Sequence, residues 1–219
     1  MSSPHSPGLP ASHGPRLTLI RHGQTTGNGR RYIGREDLPL DEVGQAQAHA
    51  LAQALVHRPC NRIVCSPLLR ARQTAEPLLQ ATRQAGRPAV LTLQPGLMEI
   101  DYGDFQGLLK DDRPLTLRRS HRHQRMPGGE SLADVFERVS AVARELADQV
   151  AAGQAVSVVG HFWSNRMLRG ALLGLTLEQT LAMGDYKPGN GSFVHLALPW
   201  PAGTAGQRRH AAQQPEVDA

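Results

Sequence analysis

The sequence predicts an α/β domain with a mostly parallel central sheet and helices on both faces. Three observations lead there. Short runs rich in β-branched residues alternate with longer stretches of helical periodicity. Turn residues or helix-start signals bound those runs. The composition is globular, with 40% hydrophobic and 20% charged residues in 219. Aromatics make up only 4%, which leaves the core to Leu, Val, Ile and Ala. The length suits one domain, expected over residues 16–199. Flexible tails are expected at 1–15 and 200–219, where Pro, Ser, Gly, Ala and Gln offer too little apolar surface to offset ordering entropy.

The first strand is RLTLI, Arg16–Ile20. Asp41 then opens the helical stretch DEVGQAQAHALAQAL. The second strand, NRIVC (Asn61–Cys65), leads into Ser66-Pro67, read as a cap residue before a first-turn proline. Leu91–Leu93 is a shorter strand. Ser131 with Asp134 resembles a capping box and opens a third helix. AVSVVG (Ala155–Gly160) is a buried strand, and the helix after it starts near Trp163 or Ser164. That helix carries Met167, Leu168, Ala171 and Leu172 on one face and stops at Gly174. Thr176 with Gln179 opens a short fifth helix, and Ser192–Leu198 forms a last strand before Pro199, which lacks a ladder donor. One of the two weaker strands is expected at a sheet edge.

A net charge of +5 and a pI near 9.9 favour anionic partners. The arginines are scattered, with their densest cluster at Arg118–Arg125. No RNA-recognition signature or zinc-finger spacing accompanies them, and few aromatics are available for base stacking, so no nucleic-acid partner is expected. Cys60 and Cys65 form no CxxC and have no second pair, which makes them reduced thiols and leaves no metal site in view. The N-terminal stretch lacks an apolar signal core, and no run approaches a membrane span. The expected setting is cytoplasmic, without a membrane partner; oligomeric state stays open.

Three strand-to-helix junctions place a phosphate-binding residue type where ligands bind in an open α/β sheet. These are Arg21-His22 in LIRHGQTTGN, Arg70 past the second strand, and His161. A neutral imidazole is a nucleophile near pH 7, so His22 can take a phosphoryl group covalently. The guanidinium forks of Arg21 and Arg70 match phosphoryl oxygens and stabilise their charge, which a metal would otherwise do. His161 can donate to the same oxygens, with Asn28 and backbone amides around Gly23 completing the cradle. A carboxyl group must protonate the leaving alkoxide and later deprotonate water. In LMEIDYGDFQG, spacing alone does not choose among Glu99, Asp101 and Asp104.

RHGQTTGN resembles the RHG(E/Q)(T/S)xxN signature of the histidine phosphatase superfamily, in its phosphoglycerate mutase-like branch. RYIGREDLPLDEVGQAQAHAL, CSPLLRARQTA, LMEIDYGDFQG, PGGES and VVGHFWSNRMLRGALLG resemble the family's further blocks, in order, from about Leu17 to Leu198. The resemblance implies a three-layer α/β/α sandwich and no cofactor. It also implies His22 as the phosphorylated nucleophile, Arg21, Arg70, Asn28 and His161 as phosphate ligands, Glu99 as proton donor, and a substrate-contacting role for Gly34. One departure stands out. The family usually has glycine and another small residue after the second histidine, and here stand Phe162 and Trp163. Those rings either narrow the pocket or pack into the core beneath the following helix.

The short stretch between Tyr102 and Met126 and the LMEIDYGDFQG block resemble the phosphatase branch, which includes the α-ribazole and broad-specificity phosphatases. The resemblance thus implies a metal-independent phosphomonoesterase acting on a small phosphorylated metabolite. The alternatives are a phosphoglycerate mutase using the same phosphohistidine and a non-catalytic phospholigand sensor. The Arg118–Arg125 cluster either touches a second anionic group or is a solvated face.

Overall fold

The computed structural model describes residues 17–58, 60–110, 120–184 and 186–198. Arg16, Arg118, Arg119 and the two expected tails lie outside the described residues. Five strands form one sheet in the order β3-β2-β4-β1-β5. They are β1 (Leu17–Arg21), β2 (Arg62–Cys65), β3 (Val90–Leu93), β4 (Val156–Gly160) and β5 (Phe193–Leu196). The first four run parallel. β5 pairs antiparallel with β1, with Leu17 opposite Leu196. Both weaker strands are therefore edges.

The helices are α1 (Glu42–Leu55), α2 (Leu69–Gln84), α3 (Leu132–Ala151), α4 (Phe162–Leu172) and α5 (Leu177–Ala182). Alternation along the strands feeds two cores, because successive residues point to opposite faces. Ile20, Ile63, Cys65 and Val159 meet Leu51, Leu55, Ala75 and Leu78 of α1 and α2. Leu17, Leu19, Val64, Val156 and Val158 meet Leu132, Val135, Val139 and Leu146 of α3, and Met167 and Leu168 of α4. The result is the expected three-layer sandwich. Fully burying each Val, Leu, Ile or Met among them is worth about 1.5–3 kcal/mol.

Three helix starts follow the sequence chemistry. Asp41 accepts from Gly44 N–H, and Ser131 and Thr176 each form a capping box. α2 differs. It begins at Leu69 rather than at Pro67, Leu68 supplies no side-chain cap, and Asp37 Oδ1 accepts the Leu69 N–H at 2.5 Å. The Ser66 hydroxyl accepts instead from Leu68 N–H at 3.3 Å. Among the described residues no helix is long and apolar enough to cross a membrane.

β1 and β4 are neighbours, yet the helix after β1 packs on one face and the helix after β4 on the other. Their C-terminal ends thus open a crevice at the point where the winding reverses. His22 and His161 are the residues immediately beyond those two ends.

Candidate active site

A cavity of about 450 Å³ opens at this crevice, and its wall includes Arg21, His22, Asn28, Gly34, Arg70 and Glu99. Arg31, Lys110, Tyr32, Tyr102, Phe162 and Trp163 complete most of it. Four cationic side chains therefore face one carboxylate.

His22 is 4% exposed, and its N–H pairs with Gly160 O, extending the β1–β4 ladder by one bond. Its Nδ1 lies 2.6 Å from Gly23 O. A carbonyl only accepts, so Nδ1 carries the proton and Nε2 keeps its lone pair. No described hydrogen bond occupies Nε2. Burial, followed by the charge of Arg70, holds the His22 pKa well below the usual histidine value, so the ring is neutral at pH 7.

Arg70 is 1% exposed and donates through Nη2 to Gly34 O at 2.7 Å, Nη1 to Glu36 O at 2.7 Å, and Nε to His161 Nδ1 at 3.2 Å. Gly34 has φ of 51°, and a Cβ there would come within 2.8 Å of the Tyr102 ring, so the turn that aims its carbonyl at Arg70 requires glycine. Arg21 donates Nη1 to Pro188 O at 2.7 Å, while its buried Nε has no partner among the described residues. Burial lowers the pKa of both arginines, and Glu99 opposes that shift. Both remain charged.

Asn28 Oδ1 accepts from Thr25 N–H at 2.7 Å and from Thr25 Oγ1 at 2.8 Å, which fixes the amide and leaves its Nδ2 donors for the cavity. Glu99 is 8% exposed and caps α4 from outside the helix. Its Oε1 accepts from Trp163 N–H at 3.1 Å, Ser164 N–H at 3.2 Å and Ile100 N–H at 3.0 Å. The Trp163 and Ser164 donors, in the first turn of α4, would otherwise be orphans. Asp101 instead faces Arg35 at 3.5 Å and accepts from Gly103 N–H, and neither Asp101 nor Asp104 is on the wall. Of the three carboxylates, only Glu99 meets the cavity.

Two expected phosphate contacts are placed differently. Gly23 N–H donates to Thr74 Oγ1 at 3.0 Å, and a Cβ on Gly23 would lie 2.5 Å from Gly44 O. Its glycine identity serves close packing on α1, and its amide is spent on α2. His161 is fully buried behind Arg70. Since Arg70 Nε only donates, His161 Nδ1 accepts, and Nε2 carries the proton toward Ser66 Oγ at 2.8 Å. Ser66 Oγ also accepts from Leu68 N–H, which accounts for the hydroxyl missing from the α2 cap. Burial and Arg70 hold His161 neutral as well. Its ring centroid is 4.9 Å from that of His22.

Phe162 and Trp163 divide the two roles open to them. The Phe162 ring stacks under Arg21, whose Cζ is 5.3 Å from its centroid, and Trp163 packs edge-on against Phe162 while belonging to the larger core. Both also border the cavity. In the described part of the basic cluster, Arg125 forks onto Asp134 at 2.7 and 2.9 Å and His123 meets Glu178 at 3.2 Å, and neither reaches the cavity.

Arg31 and Lys110 are wall residues that the strand-end argument missed. Lys110 lies 5.9 Å from the Tyr32 ring centroid, and burial and Arg21 lower its pKa. The one available signal was its place on the same loop block as Glu99.

The sequence profile of the histidine phosphatase superfamily (branch 1) matches residues 17–198. The chain belongs to this family. It is 37% identical over 173 residues to a 2,3-bisphosphoglycerate-dependent phosphoglycerate mutase of a Methylobacterium species, a match spanning 74% of this chain and 82% of that one. It is 35% identical over 195 residues to a glucosyl-3-phosphoglycerate phosphatase of Mycolicibacterium vanbaalenii, covering 83% and 84%. A mycobacterial glucosyl-3-phosphoglycerate phosphatase solved with VO3 superposes with a TM-score of 0.68 at 35% identity, covering 81% and 88%. The family and these neighbours support phosphatase activity in this histidine phosphatase.

Proposed function

We propose that this histidine phosphatase is a metal-independent phosphomonoesterase that turns over a small phosphorylated metabolite through a phosphohistidine at Nε2 of His22. One observation carries the reading. His22 is neutral and buried, its Nδ1 is tied to Gly23 O, and its Nε2 is unused at a cavity that also presents Arg21 and Arg70.

Nε2 attacks phosphorus, and charge developing on the equatorial oxygens meets the remaining terminal N–H groups of Arg21 and Arg70. His161 supports that step from behind, because its Nδ1 aims Arg70. Glu99 protonates the departing alkoxide. It then takes a proton from the water that attacks the phosphohistidine, releasing phosphate and restoring His22. Arg31 and Lys110, on the same wall, supply charge for a second anionic group on the substrate.

The test is hydrolysis of p-nitrophenyl phosphate in EDTA by wild type and His22→Ala between pH 5 and 8. Turnover in wild type and none in the variant is the expected outcome. Loss in EDTA with rescue by a divalent ion refutes the metal-free step. A second reading, phosphoglycerate mutase, is favoured by the 37% identity to the Methylobacterium enzyme. The phosphoenzyme separates the two: a phosphatase passes its phosphoryl group to water, a mutase to added phosphoglycerate.

A further inference from the structure

The PGGES block (Pro127–Ser131) runs into the α3 cap at Ser131. Its two glycines let the backbone press against the segment that follows Glu99. A Cβ on Gly129 would lie 2.5 Å from Asp101 O, and Gly128 has φ of 67°. Asp104 N–H donates to Pro127 O at 2.9 Å, and Glu130 N–H donates to Asp101 O at 2.9 Å. This contact delivers the Glu130 carboxylate beneath the Glu99 loop.

There, each oxygen of Glu130 accepts two donors. Oε1 takes Arg35 Nη2 and Arg138 Nε, both at 2.9 Å, and Oε2 takes Asp101 N–H at 3.0 Å and Arg138 Nη2 at 3.1 Å. Arg138, on α3, then grips the backbone on either side of the acid. Its Nη1 donates to Gly96 O and Met98 O, each at 2.7 Å, and its Nη2 donates to Glu99 O at 3.1 Å. Both side chains are largely buried, at 16% and 19% exposure. A fork bound to a carboxylate on one edge and to carbonyls on the other is a rigid device.

We propose that Glu130 and Arg138 are positioning residues that hold the Glu99 carboxyl group at the cavity wall, and so set its proton transfer to the leaving group. The inference rests on the acid role given to Glu99 above. Glu99 is fixed at both ends, its carbonyl by Arg138 at 3.1 Å and more loosely by Arg35 Nε at 3.5 Å, and its carboxylate by the first turn of α4. Losing the Arg138 grip loosens the backbone that carries the carboxyl group, so its placement at the wall becomes less exact.

The experiment compares Arg138→Lys and Glu130→Gln with wild type on glycerol phosphate, a poor leaving group, and on p-nitrophenyl phosphate. Alkyl turnover is expected to fall at least about tenfold more than aryl turnover, because aryl oxide leaves without much protonation. Added to Glu99→Gln, Arg138→Lys is expected to cost less than about twofold further on the alkyl substrate, since its route through Glu99 is already closed. Equal losses on both substrates, or a full further loss in the double variant, overturn the proposal.

Amide exchange gives a readout independent of turnover. The Trp163 and Ser164 amides, which bond to Glu99, are expected to exchange faster in Arg138→Lys while the α1 amides keep the wild-type rate. Unchanged exchange at Trp163 and Ser164 overturns the positioning role. If exchange responds as expected but wild type hydrolyses neither substrate, the positioning role stands and the phosphatase reading fails.

Discussion

Replacing Arg70 by Ala removes the side chain on which the proposed transition state depends most. A guanidinium carries five N–H donors. In Arg70 three of them bond to Gly34 O, Glu36 O and His161 Nδ1, leaving one on each terminal nitrogen for phosphoryl oxygens. Loss of a donor aimed at developing charge costs about 2.7–4 kcal/mol, or roughly 100- to 1,000-fold in kcat. A separate folding cost comes from the three abandoned acceptors. An unmade bond to a buried group costs about 1–3 kcal/mol, and water entering from the cavity offsets part of this. The assay is therefore kcat/KM on p-nitrophenyl phosphate in EDTA, normalised to the folded fraction from a thermal melt. Arg70→Lys keeps the charge but not the planar fork, and is expected to recover only part of the loss. Folded Arg70→Ala with kcat/KM within about threefold of wild type would refute the reasoning.

Further outcomes follow from the same geometry. His22→Ala is expected to lose all turnover and to trap no acid-labile phosphoenzyme in rapid-quench labelling; residual labelling would move the nucleophile elsewhere. His22 and His161 are both buried with pKa held below the ordinary value of about 6.5, so the unfolded chain binds more protons as the pH falls below that value. Their contribution to stability is thus complete above about pH 6.5 and is lost on acidification, by at most about 1.4 kcal/mol per histidine per pH unit. Thermal melts from pH 8 to 5 should show Tm falling on the acid side, with a shallower slope in His161→Asn; a flat wild-type profile would contradict the assignment. Phe162→Leu removes the ring stacked on Arg21 and is expected to cost about 0.5–1 kcal/mol, seen as a two- to fivefold rise in KM with kcat little changed.

Features that depend on near neighbours are legible in the amino-acid order. Alternation in LTLI, RIVC and VSVVG sorts side chains to two faces, and Asp41, Ser131 and Thr176 cap helices through bonds three residues away. Chain order also fixed that His22 and His161 follow strands, since a residue's place at a strand end is local. Tertiary structure alone decided which ends meet. β1 lies beside β4, and β5 closes an edge in antiparallel sense, through pairings that no local pattern encodes. It also decided who shares each polar group. Ser66 Oγ accepts from His161 as well as from Leu68, Gly23 gives its amide to Thr74, and Arg70 stands between His161 and the cavity. Glu99 was chosen over Asp101 because the first turn of α4, distant in sequence, presents N–H groups that bond its carboxylate, while Asp101 faces Arg35. A donor or acceptor binds whichever partner the fold brings within about 3 Å, and that distance is set by packing across the whole chain.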